Sequence, residues 1–427
     1  MTPPLSAPLR SALAAATEDQ IIYDLTGIDE CYDALTRELP GTAIRFAVKA
    51  CPVDEVLTSL ASRGAGFDAA SPHEVAQAIG AGARVGTVHH GNTIKSDRDI
   101  AAAYRLGVRD FATDSVADVR AIARHAPGAR VFCRLATSGR GALWGLRDKC
   151  GCTAAEAVRV LAAAADAGLV PAGLSVHVGS QQMTAAAWTR AVADLTDAIV
   201  ALHRRGIVVD HVNLGGGLPA AGYLDRRGRP LHPPTREILA AIRAGVQRLR
   251  RASRTHLDVI LEPGRYLVAD HGAIRAHVVR LTTRRGRRGQ PPHWLYLSCG
   301  KFNGLYEMDR VQYRLVFPTH PGGETVPAVV AGPTCDSDDA FSPRARVRVP
   351  KALASGDPVW VLSSGAYAAS YTTQRFNGFA PLPCTTVRAE HQLVPAAGPH
   401  PADAAARWPA ESGRPPALAA AGRGRAA

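Results

Sequence analysis

Residue types suited to chemistry follow eight short apolar stretches between residues 44 and 263. The stretches read IRFAVK, AGFDAAS, RVGTVHHGN, DFATDS, VFCRLA, LSVHVGS, HVNLGGG and DVILEPG. A longer, mostly alanine-rich segment with helical spacing follows each of them. Because strands that alternate with helices form parallel sheets, eight such units predict an α/β protein built on a closed (β/α)8 TIM barrel.

In such a barrel the C-terminal strand ends form one rim, where active sites lie. The residues expected there are Lys49, Asp68, His90, Asp114, Arg134, His177, Gly215 to Gly217 and Glu262. A purely structural barrel gives no reason to gather lysine, histidine, arginine and glutamate on one rim. The pattern therefore predicts an enzyme.

Lys49 is the first of these candidates. It ends the first strand after Phe46, Ala47 and Val48, and we expect partial desolvation to lower the pKa of its amine. That makes Lys49 a candidate for a Schiff base with a carbonyl group. The structural alternative is a surface lysine, but the chain has only five lysines.

Two glycine-containing loops predict a phosphate site. LGGGLP at 214–219 follows the seventh strand and Glu262-Pro-Gly-Arg265 follows the eighth, where such barrels bind phosphate through backbone N–H groups. Three glycines alone equally indicate a tight turn. A lysine and a phosphate site on one rim together suggest pyridoxal 5'-phosphate, whose ring nitrogen needs an acidic partner such as Glu262. His177 could cover the ring, although alone it would be read as a core histidine, and Ser180 could bind the phosphate.

The chain of 427 residues exceeds one barrel of about 250 residues. Residues 1–19 are expected to be disordered, and 20–271 to form the barrel with a leading strand and helix. Strand-like runs without long helices predict a β-domain over 272–387, which also takes in the N-terminal strand. The Ala/Pro/Arg-rich segment 388–427 is expected to be a disordered tail.

Charge and cysteine content exclude several classes of protein. The net charge of +13 comes from scattered arginines without a nucleic-acid-binding motif, so nucleic-acid binding is not favoured. The eight cysteines form no CxxC pair, and no metal site is predicted. No signal peptide and no run of eighteen apolar residues is seen, so we expect a soluble, cytoplasmic protein without a membrane partner.

Motifs along the chain carry a family resemblance. FAVKA, GFDAASPHE, GNTIKS, HVGSQQ, LGGGLP, EPGR, GPTCDSDD and GAYAASYTTQRFNGF occur in the order seen in the fold-type-III ornithine/diaminopimelate/arginine decarboxylases. GKFNGLYE, and GPTCDSDD together with FNGF, resemble the bacterial ornithine decarboxylases most. The resemblance covers about residues 20–385 and implies decarboxylation with pyridoxal phosphate.

The resemblance also implies residue roles. Lys49 would carry the cofactor as a Schiff base, Glu262 would pair with the pyridine nitrogen, and His177 would stack on the ring. Support for the lysine and the ring is implied for Asp68, Glu74 and Arg134. Phosphate contacts are implied for Ser180, Gly215, Gly216, Gly217, Gly264, Arg265 and Tyr367.

Family members complete each site across a homodimer, and this implies two roles for the CDSDD motif. Cys335 from the second subunit would protonate the carbanion left by CO2, since a thiol pKa near 8.5 lies close to working pH. Asp336 would bind the distal ammonium of the substrate. Glu307 and Asp309 are further candidates for that ammonium, or else solvated loop acids.

The leading interpretation is an L-ornithine decarboxylase that forms putrescine and CO2. Lysine is the nearest competitor, because one methylene discriminates by only about 1–3 kcal/mol. Diaminopimelate is less favoured, since members acting on it have Glu after the cysteine, where this chain has Asp336. The sequence departs from the family at Cys51, at His89-His90, at Cys150 and at Ala368, which leaves another diamino acid open. A racemase, a catalytically inactive regulatory homologue and a nucleic-acid-binding barrel are weaker alternatives.

Overall fold

The computed structural model describes residues 4–145, 149–253, 255–284, 293–342, 346–389 and 394–395. Its helices are α1 (Ala7–Ala15), α2 (Leu25–Glu38), α3 (Asp54–Ser62), α4 (Pro72–Gly80), α5 (Asp97–Arg105), α6 (Val116–His125), α7 (Ala154–Asp166), α8 (Ala186–His203), α9 (Thr235–Ser253) and α10 (Arg265–Val268). Its strands are β1 (Gln20–Asp24), β2 (Thr42–Ala47), β3 (Gly66–Ala69), β4 (Val88–His90), β5 (Asp110–Thr113), β6 (Arg130–Arg134), β7 (Ala142–Trp144), β8 (Val170–Ser175), β9 (Ser180–Gln182), β10 (His211–Asn213), β11 (Asp258–Leu261), β12 (Gly272–Thr283), β13 (His293–Leu297), β14 (Leu315–Val316), β15 (Thr325–Ala331), β16 (Val347–Pro350), β17 (Pro358–Leu362), β18 (Cys384–Val387) and β19 (Val394–Pro395).

Eight parallel strands close into a barrel in the order β10-β11-β2-β3-β4-β5-β6-β8. The last strand, β11, pairs with the first, β2, with Ile260 opposite Ala43. Phenylalanines that lie fully buried in β2, β3, β5 and β6 pack the core, as expected of strands covered on both faces. The barrel predicted from the eight apolar stretches is confirmed, strand by strand.

Side-chain caps set where several barrel helices begin. Ser71, Ser96 and Ser115 each accept a hydrogen bond from the backbone N–H three residues on, at the starts of α4, α5 and α6. Thr153 and Glu156 form a reciprocal capping box at the start of α7. These caps satisfy otherwise unpaired N–H groups and fix the loops that carry the strand ends.

The second unit is a sheet of nine strands, ordered β16-β15-β13-β12-β1-β18-β19, in which β17 also pairs with β12, and β14 pairs with β17. Strand β1 lies antiparallel to β12 and parallel to β18, so that Ile21 is opposite both Ile274 and Cys384. The expectation that the N-terminal strand joins this sheet is confirmed. The domain boundary near 271 stays a prediction, and Gly272 begins β12.

The N-terminal segment differs from the expectation of disorder over 1–19. Helix α1 begins after Ser6, whose hydroxyl accepts from the N–H of Leu9 at 3.3 Å. Leu9 and Leu13, one turn apart, are buried with Ile22 and Trp360 against the sheet. Two leucines on one helix face are enough to dock this alanine-rich segment, because the sheet leaves an apolar face for them to cover.

The expectation of a disordered tail over 388–427 lies mostly outside the described residues, which there are 388–389 and 394–395. Within the described part of the tail, β19 pairs with β18. Among the residues that the structure describes, no helix combines the length and the apolar character needed to cross a bilayer.

Candidate active site

A cavity opens at the C-terminal ends of the barrel strands, where the sequence predicted it. It is lined by Ala47, Lys49, Asp68, Gly91, Phe132, Arg134, Ser175, Val176, His177, Ser180, Gly216, Gly217, Leu218, Glu262, Gly264, Arg265 and Tyr367. The structure therefore brings together nearly all the residues expected to serve a cofactor, with Gly215 next to them in the loop.

Lys49 lies in a short 3₁₀ turn, Val48–Ala50, directly after β2. Its Nζ is 3.3 Å from Asp68 Oδ2, and half of its side chain is exposed while that of Asp68 is buried. Asp68 raises the pKa of Lys49 and outweighs the lowering effect of burial. The expectation that desolvation lowers this pKa is therefore wrong for the cofactor-free protein, because the sequence could not reveal how close the carboxylate lies.

Asp68 is held as an anion by what surrounds it. Burial acts to raise its pKa, but Lys49 and His89 outweigh burial and keep that pKa below its usual value. Glu74, expected to support the lysine, accepts from the backbone N–H of Ala70 at 2.6 Å and does not line the cavity.

Glu262 follows β11 and has two partners that sequence reasoning missed. Asn213, the last residue of β10, donates to Oε1 at 2.5 Å and accepts from the Gly215 N–H at 2.8 Å. His89 Nε2 lies 2.8 Å from the same oxygen. The sequence could have indicated Asn213, because it lies in the HVNLGGG stretch, one position before the glycine loop LGGGLP.

His177 is an uncharged ring in the cavity wall. Burial, followed by Arg134 and Lys49, lowers its pKa to about 3. Its Nδ1 is buried without a hydrogen-bond partner among the described residues. A neutral imidazole can lie against a cationic ring without repelling it.

The glycine loops have no room for side chains. Gly215 and Gly217 have φ of +67° and +113°, a region that L-residues rarely adopt. A Cβ on Gly216 would lie 2.8 Å from the Glu262 carbonyl oxygen, and one on Gly264 would lie 2.7 Å from Ala50 Cβ. Backbone therefore lines this side of the cavity and can approach a ligand closely.

Arg265 is a buried cation at the phosphate end proposed for the cavity, beside Ser180. It donates to Ser180 Oγ at 3.1 Å and to Tyr223 Oη at 2.8 Å. Both of its terminal nitrogens also donate to Glu307, at 2.5 and 2.7 Å. Its guanidinium carbon lies 4.6 and 4.8 Å from the ring centres of Trp144 and Tyr367. The charge is thus oriented before any ligand arrives.

The acids expected to bind a substrate amine do not line this cavity. Glu307 is engaged by Arg265, and Asp309 is half-exposed, 3.9 Å from Arg310. Cys335 is exposed, with its N–H and Sγ 3.0 and 3.3 Å from Asn377 Oδ1. Asp336, beside it, is exposed as well. The geometry leaves Cys335 and Asp336 on the surface of their own chain.

Two strand-end residues expected on the rim do not join the site. His90 is buried outside the barrel, with its ring stacked on Phe111 at 6.0 Å. Asp114 accepts from the N–H of Gly151 at 2.8 Å. Alternation along a strand explains His90, because its neighbour His89 takes the inward direction.

Comparison with known proteins places residues 25–269 in the family described as pyridoxal-dependent decarboxylase, pyridoxal binding domain. A lysine/ornithine decarboxylase of Selenomonas ruminantium is 30% identical over 364 residues, covering 84% of this chain and 87% of its own. A diaminopimelate decarboxylase of Zymomonas mobilis is 26% identical over 365 residues, covering 82% and 83%. Among solved structures, lysine/ornithine decarboxylase of Vibrio vulnificus complexed with putrescine has a TM-score of 0.76 at 26% identity, covering 88% and 96%.

The cavity fits pyridoxal phosphate. The cavity is lined by the amine of Lys49, by the carboxylate of Glu262, which suits the ring nitrogen, and by the ring of His177, whose Nδ1 has no partner among the described residues. The glycines that a Cβ would block, Ser180 and Arg265 form a polar end suited to a phosphate dianion. Neutral His177 suits a protonated pyridine ring, for which a charged imidazole would be a poor neighbour.

Proposed function

Because the chain belongs to the pyridoxal-dependent decarboxylase family, we propose that it decarboxylates a basic L-amino acid, with L-ornithine as main substrate and putrescine as product. The enzyme is a pyridoxal-phosphate-dependent lyase. When bound, the cofactor takes up the electron pair left at Cα as CO2 departs. The residues of the chain bind it, orient it and move protons.

The lining residues have separate tasks. The Lys49 amine attaches the cofactor, and Asp68 orients that amine. Glu262 holds the proton at the ring nitrogen, and His177 covers the ring face. Ser180 and Arg265 neutralise the phosphate, together with the backbone of the glycine loops.

One observation carries the proposal for the substrate. Among the described residues that line the cavity, the only carboxylates are Asp68 and Glu262, and both are already engaged by Lys49, His89 and Asn213. A distal ammonium in a partly desolvated pocket needs an anion of its own. Asp336 supplies that anion from a second subunit, and Cys335 beside it delivers a proton to Cα.

A homodimer follows from this assignment. Exposed aromatic side chains of the β-domain supply apolar area for association, namely Tyr306, Tyr371, Phe376 and Phe379. Phe376 and Phe379 flank Asn377, which holds Cys335.

Lysine is the second candidate substrate, supported by the relative named for both lysine and ornithine.

The test is CO2 release from L-ornithine, L-lysine, L-arginine, L-2,4-diaminobutyrate and meso-diaminopimelate with the cofactor supplied. L-Norvaline, which lacks the distal amine, serves as a control substrate. Asp336→Ala should reduce turnover of ornithine about 10- to 150-fold, from a lost charge-assisted hydrogen bond of about 1.5–3 kcal/mol, and leave norvaline unchanged. Preference for diaminopimelate would overturn the proposal.

Sharing of the site is tested by mixing subunits. Lys49→Ala and Cys335→Ala are each expected to be inactive alone. Co-expressed in equal amounts, they should recover about a quarter of wild-type activity, because about half of the dimers contain one intact site. No recovery, with mixed dimers verified by two affinity tags, would place Cys335 outside the partner's site.

A further inference from the structure

His89 is a histidine inside the barrel that the family resemblance does not assign. It is the middle residue of β4 and is fully buried. Its Nε2 lies 2.8 Å from Glu262 Oε1 and 3.2 Å from Asp68 Oδ1. One ring nitrogen thus faces both carboxylates of the cavity.

The contact made by the other ring nitrogen, Nδ1, shows which nitrogen of His89 carries the proton. Arg45, on β2, places a terminal guanidinium nitrogen 2.5 Å from His89 Nδ1. A guanidinium only donates hydrogen bonds, so Nδ1 must accept. The proton of the neutral ring is then on Nε2, which hydrogen-bonds Asp68 Oδ1 at 3.2 Å and also lies beside Glu262 Oε1.

The groups that face His89 come from four elements. They are Arg45 from β2, Asp68 from β3, Glu262 after β11, and Phe132 from β6 at 5.2 Å between ring centres. Two further charged groups act on Arg45: Asp110 raises its pKa and Arg130 lowers it. Burial and Arg45 favour the neutral form of His89, and the two carboxylates favour the protonated form by raising its pKa. The 2.5 Å contact with Arg45 selects the neutral ring, because a protonated Nδ1 could not accept a hydrogen bond.

We propose that His89, backed by Arg45, is a positioning residue that sets the orientation of Glu262 towards the cofactor ring. Asn213 donates to Oε1 and His89 Nε2 lies 2.8 Å from the same oxygen, so Oε1 is occupied and Oε2 is the oxygen offered to the ring nitrogen. The same N–H lowers the repulsion between Glu262 and Asp68. This inference rests on cofactor binding by the proposed enzyme, not on the identity of its substrate.

The orientation has a consequence for the ring nitrogen. A carboxylate held in place by two neighbouring groups is a better partner for a protonated ring than one free to rotate, because no reorganisation is needed. Without His89, the ring nitrogen should lose its proton at lower pH, and turnover should fall with it.

Two variants distinguish the role of Nε2 from that of Nδ1, because each places an amide near only one of the two ring nitrogens of His89. His89→Gln can present an amide N–H near the Nε2 position, whereas His89→Asn reaches only the Nδ1 position. His89→Phe keeps the ring and removes both nitrogens. His90→Phe is the matched control, since its neighbouring ring faces away from the cavity and both of its nitrogens lack partners among the described residues.

The first readout is the absorption spectrum of the bound cofactor across pH, recorded before substrate is added. We expect the spectral transition to move to lower pH by about one unit in His89→Phe and His89→Asn, and to stay near wild type in His89→Gln and His90→Phe. kcat should fall about 10- to 100-fold in the first two variants, the loss expected for a hydrogen bond to a charged group, with little change in KM.

An unchanged spectral transition in His89→Asn would overturn the inference, as would equal losses in His89→Gln and His89→Asn. Thermal unfolding of each variant identifies any that fails to fold, and the comparison of Gln with Asn then replaces the Phe variant. If no amino acid is decarboxylated by wild type, the proposed function fails, while the spectral titration still tests His89.

Discussion

Glu307→Gln is expected to lower the free energy of unfolding of the cofactor-free protein and, at the same time, to strengthen cofactor binding. The substitution keeps the side-chain volume and removes the negative charge that both terminal nitrogens of Arg265 contact. Arg265 then keeps a buried charge with only neutral partners: Ser180, Tyr223 and two further aromatic rings.

The size of the stability loss can be worked out from these contacts. Removing one partner of a buried ion pair destabilises by about 3–5 kcal/mol. The glutamine oxygen retains a hydrogen bond of about 1 kcal/mol, and the rings already stabilise the cation by about 0.5–2 kcal/mol. At the midpoints of these ranges the net expected loss is about 2 kcal/mol in the free energy of unfolding of the cofactor-free protein.

The cofactor phosphate restores an anion beside Arg265. In wild type that phosphate also meets the Glu307 charge, and like charges in a partly buried site repel by about 1–2 kcal/mol at an effective dielectric constant near 20. We therefore expect the dissociation constant of pyridoxal phosphate to fall about tenfold in Glu307→Gln.

Urea unfolding of the cofactor-free protein and a fluorescence titration with pyridoxal phosphate measure the two quantities. Asp309→Asn, two residues along and half-exposed, is the matched control, with a change within about 0.5 kcal/mol. Weaker cofactor binding in Glu307→Gln would refute the assignment of Arg265 as the cation for the phosphate.

Three further predictions address separate parts of the site. Asp68→Asn removes the carboxylate that raises the pKa of Lys49, so the rate of cofactor attachment, followed by absorbance, should reach its plateau at lower pH; an unshifted profile would contradict this. His177 has a pKa lowered to about 3 in the folded protein and near 6.5 when unfolded, so the unfolded chain takes up the proton first and stability is lost as pH falls below about 6.5; urea midpoints of His177→Phe should be less sensitive to pH than wild type between 6.5 and 4. Asp339 accepts from the N–H of Lys301 and from the N–H and hydroxyl of Thr334, so Asp339→Ala should lower kcat at least tenfold by displacing the Cys335 loop, while cofactor affinity measured by titration stays within twofold.

The barrel could be predicted from the sequence because its signal is local. Each strand is an apolar run that ends in a polar residue or is followed closely by one, and several helices begin at a residue such as Ser71 or Ser96 that caps them. The cofactor residues followed, because parallel strands bring their C-terminal ends together whatever the details of packing.

The contacts between those residues could not be predicted, because they depend on distances across the barrel. Lys49 was expected to have a lowered pKa, and Asp68, nineteen positions on, reverses the direction. His89 and His90 lie on opposite faces of β4. The sequence analysis expected His90 on the rim of the site, but it is His89 that lies beside Glu262. Helix α1 was missed because its two leucines are sparse among alanines, and only the sheet beneath shows what they cover.

The neighbouring positions of β1 and β18 bear on how the chain is made. Ile21 pairs with Cys384, which lies 363 positions further along the chain, while the barrel strands all lie within one continuous stretch, from Thr42 to Leu261. During synthesis the barrel can therefore close as soon as β11 has left the ribosome, whereas β1 must wait for β12 and then for β18. Because the two ends of the folded region meet in one sheet, a circular permutant that links them and opens the chain elsewhere should keep the native topology.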